Sequence, residues 1–319
     1  MTEISLKPGM SINEAVSSAP EGAVILRLSP GIYKEKVYIR RSDVTVTGHG
    51  DNPGDVVIEW DDYALFIMPD GVKRGTFRSY TFFIKGDHNR LENITIKNTS
   101  FPREKCGQCI ALFAEGDYFE AESCHIESFQ DTLFTGPLPS KEIEKGGFTG
   151  PTRDDERIIG RQYYKNCRIS GDVDFIFGSA TCLFEGCDIV SVYAGEDVLP
   201  VDVTCGYCTA PSTYEGEKYG YVFNNCRFLN EGCPEKSVYL GRPWRDYART
   251  VLINCFLDSH IKEEGFHDWN KRGAHGKFYF AELGSYGPGS NGKRADFVSK
   301  IENSMISEYS KDKIFSKKV

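Results

Sequence analysis

The chain lacks any apolar run near the length of a membrane span, which excludes a helical transmembrane protein. Its first residues, MTEISLKPGM, have neither the basic nor the apolar segment of a secretory signal, and the expectation is a cytoplasmic protein. Basic charge is in deficit: 38 Lys and Arg stand against 46 Asp and Glu, a net charge of -8. Nucleic acid and membrane surfaces are therefore not expected partners. There is no Gly-rich phosphate loop after a strand, no H-E-x-x-H and no G-x-S-x-G, so no metal, nucleotide or serine-elbow chemistry announces itself. The six histidines are dispersed and nominate no general base. Long helical periodicity is scarce as well, which argues against a helical bundle.

What is present is short segments rich in Val, Ile, Phe and Tyr, punctuated by Gly, Asn, Asp and Ser, the pattern of an all-β protein. One phrase recurs: LENITIKN at Leu91, AESCHIES at Ala121, YKNCRISG at Tyr164, FEGCDIVS at Phe184, FNNCRFLN at Phe223 and LINCFLDS at Leu252. From Cys167 to Cys187 is 20 residues and from Cys187 to Cys226 is 39. A period of about twenty residues built of short strands predicts a solenoid, a parallel β-helix over the whole of 1–319 with no second domain. Cys124 to Cys167 spans 43 residues; removing about 22 restores one period, which marks the Gly- and Pro-rich stretch of roughly 135–160 as an inserted loop.

The eleven cysteines are an odd number, which suits reduced thiols stacked as small buried hydrophobes better than a disulfide framework. Two C-x-x-C pairs, Cys106/Cys109 and Cys205/Cys208, raise zinc as the competing reading; they lie about a hundred residues apart inside apolar phrases, and no metal is expected. Ser11 and Glu14 have capping-box spacing before Ile12, Ala15 and Val16, predicting a short helix that closes the first coil. The charged stretch from Asp296 to Val319 is expected to pack as helix and loop at the other end.

Three phrases embed polar groups where strand packing favours apolar ones: FQDTLF (Gln130, Asp131), DVDFIFG (Asp172, Asp174) and YLGRPWRDY (Arg242, Trp244). A carboxylate beside Phe175 and Phe177 is costly to ionise without a compensating charge. Pro243 holds Arg242 in extended backbone, and its guanidinium beside Asp174 either keeps that group charged or braces two coils. With the insertion discounted, Asp131 and Asp174 fall on adjacent rungs, about 4.8 Å apart. Two such carboxylates suffice for hydrolysis without a metal, one charged and one holding a proton. Gln108 and Gln130 carry neutral amide donors suited to an oxyanion, or to a buried ladder. Trp244, Phe177 and Phe134 are candidate sugar platforms or core. Asp172 reads as a turn residue.

Taken together, PGIYKEKVYI (Pro30 to Ile39), GQCIALF (Gly107 to Phe113), QDTLF (Gln130 to Phe134), GDVDFIFG (Gly171 to Gly178), GYCTAPST (Gly206 to Thr213) and LGRPWRDYARTV (Leu240 to Val251) resemble the pectin methylesterases of carbohydrate esterase family eight, over nearly the whole chain. The resemblance implies a right-handed parallel β-helix of the pectin-lyase-like type. By the same resemblance Asp174 is the nucleophile, Asp131 the acid/base, Gln108 and Gln130 the oxyanion hole, and Arg242 the group that orients Asp174. Trp244, Phe177 and Phe134 would line galacturonate subsites. The implied substrate is methylesterified homogalacturonan or its oligomers, handled by a monomer with no cofactor. Cys109 and Ile110 replace small aliphatics of the family pattern, a packing change that leaves Gln108 intact. The loop after Phe134 begins beside Asp131, so a wall on the cleft that restricts chain length is expected. The missing signal suggests a bacterial enzyme trimming imported oligogalacturonides. Rival readings are a pectate lyase, a non-catalytic carbohydrate-binding solenoid, and a relative acting on another ester or thioester.

Overall fold

In the computed structural model, which describes residues 1–193 and 203–316, short strands pair in parallel into sheets of eleven, seven and eight strands. From Val24 to Leu257, strands that follow one another in the chain pass to different sheets, so each coil there lays one strand on each face and stacks on the coil before it. This is the parallel β-helix that the repeat predicts. Alternation decides which side chains go inside: Val24–Leu28 buries Val24, Leu26 and Leu28 and turns Ile25 and Arg27 outward.

The recurring phrase marks one corner of the coil. Ser123, Asn166, Asn225 and Asn254 adopt left-handed backbone with φ of 51° to 52°, a conformation asparagine tolerates better than most residues. The next residue in each case, Cys124, Cys167, Cys226 or Cys255, turns inward and is fully buried. At Gly186 a Cβ would sit 2.7 Å from Asn166 Oδ1, which is why the corner before Cys187 takes glycine. All eleven thiols are free and buried, and no cluster of three or more His, Cys, Asp or Glu side chains suited to a metal forms among the described residues.

Helix Ile12–Ser18 starts at Ser11, whose side chain accepts from Glu14 N–H. In place of the reciprocal bond of a capping box, Glu35 accepts from Ser11 Oγ (2.6 Å), Ile12 N–H (2.7 Å) and Asn13 N–H (3.2 Å). A carboxylate on the neighbouring coil thus satisfies the helix's orphan donors. At the other end, strand Val298–Lys300, the 3-10 turn Asn303–Tyr309 and helix Lys311–Ile314 carry Ile301 and Ile314 onto the outer face of the eleven-stranded sheet, against Leu183, Val222 and Val251.

A second apolar cluster lies on the outer face of the seven-stranded sheet. Phe83, Phe113, Phe134, Phe177 and Ala210 occupy one register position on five successive rungs, and Phe77, Tyr80, Leu138 and Phe148 cover them. The insertion leaves the seven-stranded sheet after Thr135, and the chain next enters the eleven-stranded sheet at Arg161. It is pinned by Asp155 to Arg40 (2.6 Å) and Lys85 (2.7 Å), and by Tyr214 O–H donating to the Leu138 carbonyl at 2.6 Å.

Candidate active site

Beside that aromatic ladder the outer face of the seven-stranded sheet opens into a cleft of about 420 Å³, and Gln108, Gln130, Asp131, Asp174, Phe177, Arg242 and Trp244 all line it. Two local backbone features aim the carboxylates. Asp131 (φ 64°) precedes strand Leu133–Thr135, and Asp174 (φ 51°) sits where the pairing of Val173–Gly178 with Gly206–Pro211 shifts register. Left-handed backbone in a non-glycine residue is strained, and a bulge re-aims the side chain it carries. The register places Leu133 opposite Ile176, and Asp131 N–H donates to the Val173 carbonyl at 3.0 Å. The two aspartates therefore stand one rung apart, as the spacing predicts.

Arg242 grips Asp174 with both teeth of its fork, Nε to Oδ1 at 2.8 Å and Nη2 to Oδ2 at 2.6 Å. Its guanidinium is itself clamped between two rings, 3.8 Å from the centre of Tyr207 and 3.7 Å from that of Trp269. Neither ring was singled out by sequence reasoning. Tyr207 carries a signal in hindsight, because in GYCTAP it alternates with the inward Cys208. Trp269 stands in a charged loop, where only the fold brings it to Arg242.

Both carboxyl groups are buried, and burial pushes both above the usual aspartate range. For Asp174 the two hydrogen bonds from Arg242 pull back against this. Asp131 lacks such a contact, and after burial the charge of Asp174 drives it further up, well above its ordinary value. At one strand spacing two like charges repel by about 3 kcal/mol at an effective dielectric of 20. That repulsion adds to burial in favouring a shared proton on the pair, and with Asp174 held by Arg242 it is Asp131 that keeps the proton to higher pH.

Gln108 and Gln130 are fixed through their backbones: the Gln108 carbonyl accepts from Ala64 N–H (2.9 Å) and the Gln130 carbonyl from Cys109 N–H (3.0 Å). Their side-chain amides have no partner among the described residues and reach the cleft. Trp244 packs edge-on against Phe177, ring centres 5.7 Å apart. Phe134 differs from the expectation: with 0% exposure it lies behind the cleft wall, edge-on to Phe77 at 4.9 Å and beside Phe177 at 4.9 Å. It supports the platform and presents no face to a sugar. Asp172 is more than a turn residue. It is buried, accepts from its neighbour Val173 N–H at 2.5 Å, and pairs with Arg103 of the short helix Arg103–Cys106. That pairing neutralises a third carboxylate next to the other two.

The chain matches the family model described as Pectinesterase over residues 8–138 and 157–315. Among curated relatives it is 31% identical to Pectinesterase 31 of Arabidopsis thaliana, over 88% of this chain and 80% of that protein. It is 32% identical to the probable pectinesterase/pectinesterase inhibitor 23 of the same plant, over 88% of this chain and 45% of that protein. The chain thus spans about half the length of several curated relatives it matches. Among solved structures, pectin methylesterase PemA from Erwinia chrysanthemi is similar with a TM-score of 0.78 and 28% identity, over 97% of this chain and 93% of that one. The pectin methylesterase from Yersinia enterocolitica is similar with a TM-score of 0.77 and 28% identity, over 96% and 98%.

Proposed function

On the footing that the chain belongs to the pectinesterase family, we propose that it is a carboxylic ester hydrolase removing methyl groups from galacturonate units of pectin or of methylated oligogalacturonides. The observation that carries this reading is the Arg242-held Asp174 one rung from a buried Asp131 that Arg242 does not contact, with the two glutamines in the same cleft. A pectin methylesterase of this fold has been seen in complex with a hexasaccharide, which supports a sugar chain as the ligand.

The chemistry then runs as follows. A carboxylate oxygen of Asp174 adds to the ester carbonyl carbon, and the amide N–H groups of Gln108 and Gln130 receive the charge that develops on its oxygen. The bond to methoxyl breaks as Asp131 gives its proton to the departing oxygen, and methanol leaves a mixed anhydride on Asp174. Asp131, now charged, takes a proton from water as the hydroxyl adds to the sugar-side carbonyl. The bond to Asp174 breaks, and the sugar acid, a protonated Asp131 and a charged Asp174 remain. Arg242 acts throughout by position and charge, since it does not deprotonate at working pH. Removing either amide is expected to cost about 10²- to 10³-fold in kcat; Gln108→Ala and Gln130→Ala, followed by methanol release at saturating substrate, check this.

The insertion at one side of the cleft supports a preference for oligomers over long pectin, and eleven unpaired thiols support work in a reducing cytoplasm on imported material. Methanol release measured on methylated oligogalacturonides of graded length and on polymeric pectin tests the reading. It is sustained by release that is fastest per ester on short chains. Equal rates on both defeat the oligomer preference, and unsaturated product without methanol points instead to a lyase.

A further inference from the structure

Resting on that reading, the segment 139–156, over which the match to the pectinesterase model breaks, touches both walls of the cleft. On one side the Lys141 carbonyl accepts from Arg245 Nη2 at 3.4 Å, next to Trp244. On the other the Phe148 ring packs edge-on against Phe77, centres 5.9 Å apart, and Gly150 sits so close to Phe77 that a Cβ would come within 2.5 Å of it. Between these anchors Glu142, Ile143 and Glu144 line the cleft, whereas the flanking Lys141 and Lys145 do not.

We propose that Glu142, Ile143 and Glu144 read the esterification state of the sugar beside the one being hydrolysed, accepting a methyl ester and rejecting a free carboxylate. Ile143 is 74% exposed, an apolar side chain at the mouth of the cleft between two glutamates, and it gains burial against an apolar group such as the ester methyl. Glu142 is held charged, because its carboxylate accepts from Phe148 N–H at 2.7 Å and its pKa is lowered chiefly by that bond. The cations of the cleft offset this field only in part, because Arg245 keeps its charge against two carboxylates. Arg242 is committed to Asp174, and Arg245 stacks on Trp244, 4.6 Å from its ring centre. A free carboxylate on the neighbouring sugar therefore meets two carboxylates, a methyl ester none. The product of one turnover is then a poor neighbour for the next on that side, and de-esterification is expected to leave scattered free acids instead of continuous blocks.

The test compares kcat/KM on a fully methylated galacturonate hexamer with that on a hexamer about half de-esterified at random, for the unaltered chain, the double variant E142Q/E144Q and I143S. The glutamine at 142 retains the acceptor oxygen that takes the Phe148 N–H. The expected ratio is about tenfold in favour of the full ester, falling to about twofold in the double variant. Raising salt from about 20 mM to 500 mM shortens the screening length and is expected to shrink the ratio in the unaltered chain but not in the double variant. I143S is expected to lower the rate on the full ester selectively. A ratio that is near one in the unaltered chain, or that survives E142Q/E144Q and salt, overturns the inference while leaving methanol release intact. Absence of methanol from every substrate defeats the proposed activity itself, and this inference with it.

Discussion

Asp174→Asn is expected to lower kcat for methanol release by about 10⁴-fold or more, because the amide cannot form the acyl intermediate while every other group of the site stays in place. Asparagine is the informative replacement. Asp174 holds φ of 51°, a conformation asparagine adopts readily and alanine does not, so an Ala variant would mix backbone strain with lost chemistry. The substitution also leaves Arg242 buried without its counter-charge. Breaking a buried ion pair from one side costs about 3–5 kcal/mol; the rings of Tyr207 and Trp269 go on shielding the guanidinium, so a loss of about 2–3 kcal/mol is expected. Circular dichroism should report a folded chain with a lower midpoint of melting. Full activity in this variant would remove Asp174 from the role of nucleophile.

Reading the fold from the sequence succeeded where a local rule repeats. An Asn or Ser able to turn left-handed, followed by a small residue to point inward, recurs at Ser123, Asn166, Asn225 and Asn254, and each recurrence fixes a corner of the coil. The rung relation of Asp131 and Asp174 followed from the same period, since in parallel pairing an offset in sequence becomes a spacing in space. Phe134 shows where such reasoning stops. It shares its register position with Phe177, and nothing in either phrase distinguishes the two. Phe77, on a 3-10 turn more than two coils earlier, packs closer to Phe134 (4.9 Å) than to Phe177 (6.2 Å), and of the two only Phe177 lines the cleft. Trp269 and Glu35 were missed for the same reason: each acts on a residue of another coil, through a contact set by stacking and not by any periodic pattern. Arg103 likewise meets Asp172 from a short helix on another coil, and a carboxylate in the phrase DVD gives no sign of which cation will find it.

Arg242→Gln is expected to cost about 10²- to 10³-fold in kcat and to move the whole pH profile toward alkali. In the proposed mechanism activity needs Asp174 charged, which sets the acid limb, and Asp131 protonated, which sets the alkaline limb. At present Arg242 pulls against the burial that raises Asp174, and its charge also restrains Asp131. Without it both carboxyl groups rise, so both limbs shift up, the acid limb more because it loses two direct hydrogen bonds. Stability changes in the same sense. A carboxyl whose folded pKa lies above its unfolded value favours the folded state most at pH below the unfolded value, and that contribution is lost as pH rises through the folded one. Asp174 in the variant must ionise unpaired, so the gap in melting temperature between the unaltered chain and Arg242→Gln is expected to widen as pH increases. Arg242→Lys should restore the charge but neither the fork nor the stacking on Tyr207 and Trp269, recovering the position of the acid limb in part and kcat less. An acid limb that stays put or moves down in Arg242→Gln would show that Arg242 braces two coils without tuning Asp174, and pH–rate profiles of the three proteins decide between the two.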